Sequence, residues 1–241
     1  MPPQSTTVKV CVFDAYGTLF DVAAAARACA AEPGNEAWRQ AFAEKWPEVA
    51  ETWRHKQLQY TWLRALTGDH VDFWTVTGES LDFTLESVGL AEPTLRERLL
   101  QLYFELEAYP EVPAMLQALK DQGRQLAILS NGEPKMLAAA ARSAGVDSLL
   151  DDILSVESVG IFKPHPSVYA LVEQRFDCAR EEVVFVSSNG WDACSAAAYG
   201  FHTAWVNRRG EPVDRLAARP HEILTDLADL PARVAARTGA P

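Results

Sequence analysis

Four short apolar runs, separated by helical segments that stop at glycine or a turn, constrain this chain more than any other feature. The runs are "VKVCVF" (8–13), "QLAILS" (125–130), "EVVFVS" (182–187) and "TAWV" (203–206). They are too short for buried helices and rich in Val and Ile, so they read as buried parallel strands. A shorter fifth lies near "EILT" (222–225). Of the helical segments, "VPAMLQALKDQG" stops at Gly123, "WDACSAAAYG" stops at Gly200, and "SVYALVEQRF" runs into "DCAREE". Glycine ends helices because it alone takes the left-handed conformation cheaply. Repetition of helix, turn and strand implies right-handed crossovers, and therefore an α/β doubly wound parallel sheet.

The stretch between the first two strands breaks this rhythm. It is helical in pattern, has no clear strand, and is several times longer than an ordinary βα connection. It includes "AWRQAFAEKW", "PEVAETWRHKQLQYTWLRAL", "GESLDFTLESVG" and "EPTLRERLLQLYFEL", with Pro47 and Pro93 where first-turn prolines belong. The Ala-rich segment 23–31 reads as helix. Residues 22–104 are therefore expected to form an inserted helical cap, over a core made of residues 1–21 and 105–241.

Composition narrows the function. The net charge is -11, which argues against a groove that tracks nucleic-acid phosphates. The four cysteines, Cys11, Cys29, Cys178 and Cys194, lack metal-finger or CxxC spacing and read as free thiols in a reducing compartment. The segment "MPPQSTTVKV" has no apolar core of the kind a signal peptide needs, and no apolar run spans a membrane. A cytoplasmic protein with no nucleic-acid or membrane partner is expected. No metal-ligating cluster is evident: His55, His70, His165, His202 and His221 are scattered.

In open α/β sheets, ligands bind beyond the carboxyl ends of the strands. The first run ends in Asp14, the second in Ser130-Asn131-Gly132, the third in Ser187-Ser188-Asn189 followed by Trp191-Asp192. "FKPHPSVY" places Lys163 ahead of a helix opened by Pro166. Taken singly, each has a structural reading: Asp14 or Ser130 as a helix N-cap, Thr18 as a turn residue, Lys163 and Arg54 as solvated cations, and Leu58, Phe73 and Trp191 as packing. Asp, Ser, Lys and Asp converging on adjacent tips point to a reaction centre.

The order Asp-x-x-Gly-Thr, Ser-Asn, Lys-Pro and Ser-Ser-Asn-x-x-Asp resembles the haloacid dehalogenase superfamily. "FDAYGTLFDV", "WRHKQLQYTWL", "KPHPSVY" and "SSNGWDA" together resemble its L-2-haloacid dehalogenase family, over nearly the whole chain. The resemblance implies a Rossmann-like core with a helical cap. Phosphatases of the superfamily carry an acid two residues after the nucleophile, to protonate an alkoxide, and hold Mg²⁺. Here Tyr16 stands at that position. A halide leaves without a proton and needs only donors aimed at its growing charge, so Tyr16 fits halide displacement.

The resemblance further implies that Asp14 attacks C2 of an L-2-haloalkanoate with inversion. Water then hydrolyses the ester to a D-2-hydroxy acid. Lys163 pairs with Asp14. Arg54 and Asn131 receive the halide. Ser130 and backbone N–H groups near Tyr16 hold the substrate carboxylate. Thr18, Ser187 and Asn189 position Asp14 and the water, Asp192 is the base partner of that water, and Tyr169 closes the network. Tyr16, Leu58, Phe73 and Trp191 wall the pocket. No cofactor or metal is implied, and a homodimer is expected. His55 stands where the family more often has Gln, and His165 where it more often has Asp; His55 is a candidate for tuning halide preference. Three other readings stay open at this level: a related hydrolase acting on fluoroacetate or a strained cyclic imino acid, a phosphatase, and a catalytically silent binding protein.

Overall fold

The computed structural model describes residues 7–237, so the reading of the N-terminal segment as free of a signal peptide falls largely on residues outside the described ones. Six parallel strands form one sheet: β1 (Val10–Phe13), β2 (Gln125–Ser130), β3 (Asp152–Ser155), β4 (Val183–Ser187), β5 (His202–Val206) and β6 (Glu222–Leu224), in the order β3-β2-β1-β4-β5-β6. All five expected strands are present. β1 and β4 are buried along their whole length, as sheet strands covered on both faces must be.

β3 was not expected from the sequence. It is an edge strand, "DILS", with three of its four residues only half-buried. An edge strand needs no continuous apolar run, so it leaves a weak trace in the sequence.

Between β1 and β2 the chain forms α1 (Ala23–Ala31), α2 (Arg39–Thr67), α3 (Phe73–Ser87) and α4 (Pro93–Leu102), followed by α5 (Val112–Asp121). The first four helices make up the expected helical insertion. Pro93 does open α4, whereas Pro47 lies inside α2 rather than in a first turn. A proline there removes one hydrogen bond to the carbonyl four residues earlier. That carbonyl belongs to Ala43, and Ala43 and Pro47 are both exposed, so water can satisfy it. The buried stripe Phe42, Val49, Trp53, Gln57 and Thr61 continues through the proline and holds α2 in one piece.

After β2 come α6 (Pro134–Ser143), α7 (Pro166–Phe176), α8 (Gly190–Tyr199) and α9 (Leu230–Arg237). α5 and α8 end near Gly123 (φ +74°) and Gly200 (φ +116°), where a side chain would be strained. Asp177 closes α7 in the same left-handed region.

The helical insertion joins the sheet through two adjacent segments. Phe20 bridges Ala108 in antiparallel fashion, Asp21 N donates to Glu107 O at 3.0 Å, and Tyr109 N donates to Leu19 O at 3.0 Å. Among the described residues no helix is long and apolar enough to cross a membrane. All four cysteines are free, and burial pushes the Cys11 thiol up to about 12.

Candidate active site

The strand order reverses at β1, which has β2 on one side and β4 on the other. A crevice opens at such a switch point, beyond the strand ends. Asp14 follows β1 directly and lies in it, 7% exposed.

Three neighbours hold its carboxylate. Lys163 Nζ donates to Oδ1 at 3.2 Å. Asn189 Nδ2 and Thr18 Oγ1 donate to Oδ2 at 3.0 and 3.2 Å. Thr18 is fixed in turn, because its Oγ1 accepts from Ser188 N at 2.8 Å. Ser187 Oγ accepts from Asn189 N at 3.1 Å and shapes that tip. Lys163 is 1% exposed, and its Nζ also donates to Asp192 Oδ2 at 2.9 Å. Burial alone would lower the lysine's pKa, but the carboxylates of Asp14 and Asp192 outweigh it and the value is raised.

Asp192 lies behind Lys163. It is fully buried; Oδ2 takes the Lys163 ammonium, and Oδ1 takes the Tyr169 hydroxyl at 2.7 Å. Asp192 thus anchors Lys163, and each of its oxygens keeps a further lone pair. Burial raises its pKa, against the pull of Lys163. Tyr169 closes the network as expected, its phenol raised well above the ordinary value, first by burial and then by Asp192.

Arg54 reaches the site from α2. Its Nη2 donates to Tyr16 O and to Asn189 Oδ1, both at 3.0 Å. Asn189 thus spans the arginine and Asp14. The approach requires Gly17: a Cβ there would lie 3.0 Å from Arg54 Nη2, and its φ of +85° disfavours a side chain as well. Arg54, Leu58 and Trp62 follow at helical spacing along one face of α2. Trp62 meets Trp191 edge to face, with centroids 5.4 Å apart. Leu58, between Arg54 and Trp62 on that face, is half-buried. Trp191 lies in the first turn of α8, and its indole Nε1 is buried without a partner.

Tyr16 is buried, and its hydroxyl has no hydrogen-bond partner. Its ring stacks on Phe73 (5.7 Å) and meets Tyr103 (5.4 Å). At the β2 tip, Ser130 Oγ accepts from Gly132 N at 3.1 Å, and Asn131 Oδ1 accepts from Lys163 N at 2.9 Å. Asp14, Thr18, Arg54, Lys163, Tyr169, Asn189 and Asp192 are thus joined in one hydrogen-bonded network. His55 does not point inward: it is exposed. His165 is the N-cap of α7, its Nδ1 accepting from Ser167 N at 3.3 Å.

Three groups were missed from the sequence. Phe162 continues the aromatic wall beside Phe73, at 6.5 Å. Ser188, inside the "SSNGWDA" motif, fixes Thr18 through its backbone N–H. Gln57 holds Tyr103, whose ring meets Tyr16, donating to Thr77 Oγ1 at 2.8 Å and to Tyr103 Oη at 3.2 Å. Its one sequence signal is its place three residues after Arg54.

The donor set does not suit a divalent cation. The Lys163 ammonium fills the gap between Asp14 and Asp192, and positions 16 and 189 offer a phenol and an amide. Among the described residues no group of three or more His, Cys, Asp or Glu could hold a metal ion.

A family model described as haloacid dehalogenase-like hydrolase matches residues 8–200. The chain belongs to the haloacid dehalogenase-like hydrolases. Among curated members, (S)-2-haloacid dehalogenase 1 of Pseudomonas sp. (strain CBS-3) is 44% identical over 93% of this chain and 95% of its own length. Haloacetate dehalogenase H-2 of Moraxella sp. (strain B) is 37% identical over 88% and 92%. The L-2-haloacid dehalogenase of Xanthobacter autotrophicus, solved with chloropropionic acid covalently bound, superposes with a TM-score of 0.83 at 36% identity, covering 97% of this chain and 100% of that one. This haloacid dehalogenase-like hydrolase shares the α/β architecture of that structure along nearly its whole length.

Proposed function

We propose that the protein is an (S)-2-haloacid dehalogenase that uses Asp14 as a nucleophile, needs no metal, and releases a D-2-hydroxy acid. The observation that carries this reading is the setting of Asp14. A lysine, an amide and a hydroxyl hold its carboxylate, and no acid stands two residues on to serve an alkoxide leaving group.

In the first step one Asp14 oxygen attacks C2 from the side opposite the halogen. The C–X bond breaks as the C–O bond forms, and halide departs with its electron pair. Arg54 receives the growing charge, and Asn131, whose amide oxygen is tied to Lys163 N, offers its NH₂. The Ser130 hydroxyl hydrogen and backbone N–H groups near Tyr16 hold the substrate carboxylate. Tyr16, Phe73, Leu58 and Trp191 exclude bulk water, so these charges act at low dielectric.

In the second step water attacks Cγ of the ester. Lys163 and Asn189 stabilise the oxyanion; of the water's two protons, one passes by way of Asp192, its base partner, to solvent, and the other goes to the departing hydroxy-acid oxygen. One halide and one proton leave per turnover. Asp192 and Tyr169 keep Lys163 in place throughout.

The domain division belongs to the same proposal: residues 22–104 as a cap that carries Arg54, Leu58 and Phe73 to a core of residues 1–21 and 105–241. So do a cytoplasmic location, supported by four free cysteines, and a homodimer, supported by Leu63, Leu66 and Phe83 exposed on α2 and α3.

Halide release from L- and D-2-chloropropionate, with EDTA present, tests the function in wild type and Asp14→Asn. Chloride from the L form alone, lost in the variant, is the expected result. No chloride from either form would overturn it.

A further inference from the structure

The chain enters the helical insertion through residues 15–21 and leaves it through residues 107–111, and the two segments run side by side. A third element reaches both. Arg208, just beyond β5, meets the two with a single nitrogen: Nη2 donates to Thr18 O at 3.3 Å and pairs with Glu111 Oε1 at 2.7 Å. Its guanidinium carbon lies 3.7 Å from the centroid of the Tyr109 ring. Tyr109 N donates back to Leu19 O. A single planar cation therefore ties outgoing turn to returning segment.

Placement there has a cost. Arg208 Nε is buried with no hydrogen-bond partner, and a buried unpaired donor is unfavourable. Arg209, the next residue, shows the alternative: 72% exposed, it makes loose pairs with Glu51 and Glu211 at 3.5 and 3.4 Å. Thr18 is the residue that makes the difference matter. Its carbonyl meets Arg208, while its hydroxyl faces Asp14 Oδ2 and Ser188 N.

We infer that Arg208 is a positioning residue: it locks the hinge so that the Thr18 hydroxyl stays against Asp14. It touches no substrate. The inference rests on the reading of Asp14 as the nucleophile, and only its catalytic half depends on that reading. A lysine in its place could keep the pair with Glu111, but not the flat face on Tyr109.

The test compares wild type, Arg208→Gln, Arg208→Lys and Arg209→Gln. Two readouts are taken: kcat and KM for chloride release from L-2-chloropropionate, and amide hydrogen exchange over residues 15–21 and 107–111. Arg208→Gln is expected to lower kcat about tenfold to a hundredfold with KM little changed, the scale of a small misplacement at a reacting centre. Exchange should quicken in both segments. Arg208→Lys should fall between it and wild type, and Arg209→Gln should match wild type in both readouts. A folded Arg208→Gln with wild-type kcat, or with unchanged hinge exchange, overturns the inference. Should that variant not fold, Arg208→Lys decides: wild-type kcat and exchange overturn it, and a lower kcat at unchanged melting temperature supports it. A wild type that releases no halide refutes the functional reading, and the exchange readout alone then decides whether Arg208 locks the hinge.

Discussion

Lys163 Nζ lies 3.2 Å from Asp14 Oδ1 in a site where the lysine side chain is 1% exposed. The same ammonium is held from behind by Asp192. Removing it leaves two carboxylates facing each other in a dry crevice. Lys163→Met should therefore cost about 3–5 kcal/mol of stability, the usual penalty for breaking a buried pair from one side. It should also abolish halide release. Urea unfolding checks the first expectation; a stability loss under about 1 kcal/mol would contradict it.

The raised pKa of Lys163 fixes a pH dependence. Its stabilising contribution is complete below the ordinary lysine value of about 10.4 and is lost as pH rises through the higher folded value. Tyr16 and Tyr169, both raised chiefly by burial, act in the same direction, since their phenols ionise more easily in the unfolded chain. The urea midpoint should hold steady from pH 7 to about 9 and fall steeply above about 10. A midpoint that stays flat to pH 11 would refute this.

Tyr16 carries a buried hydroxyl without a partner. A buried unsatisfied group costs about 1–3 kcal/mol, so Tyr16→Phe should be neutral or stabilising in the free protein. The ring contacts with Phe73 and Tyr103 survive the change, and kcat should fall less than about tenfold if Tyr16 acts as a wall. A larger fall with unchanged stability would make the phenol a donor to the substrate.

His165 caps α7 through a long 3.3 Å hydrogen bond. Aspartate is a better N-cap, and its charge suits a helix N-terminus. His165→Asp should add about 0.5–1 kcal/mol and raise the melting temperature by about 1–4 °C, without altering kcat. A lower melting temperature would contradict this account of the cap.

The sheet was legible because its central strands are continuous apolar runs that end at tip residues. β3 escaped because an edge strand is only half-buried. Pro47 misled because an exposed proline is tolerated where the buried stripe on both sides holds the helix together. The gathering of Asp14, Lys163, Asn189 and Asp192 could be expected from their places after successive strands. Their orientations could not: only the structure shows Asp192 shared between Lys163 and Tyr169, and only it turns His55 outward. Gln57 and Arg208 were hidden for another reason. A buried glutamine behind a tyrosine, or an arginine in a hinge, has no local sequence pattern, since its partners lie tens of residues away.

The measurement that tests the central claim most directly follows an oxygen atom. A single turnover of L-2-chloropropionate is run with excess enzyme in ¹⁸O-water, and product and protein are weighed by mass spectrometry. If Asp14 forms the ester, the hydroxy acid carries ordinary oxygen and the label appears in the peptide containing Asp14. Label found directly in the hydroxy acid, with none on Asp14, would mean that water displaces the halide itself and that Asp14 is not the nucleophile.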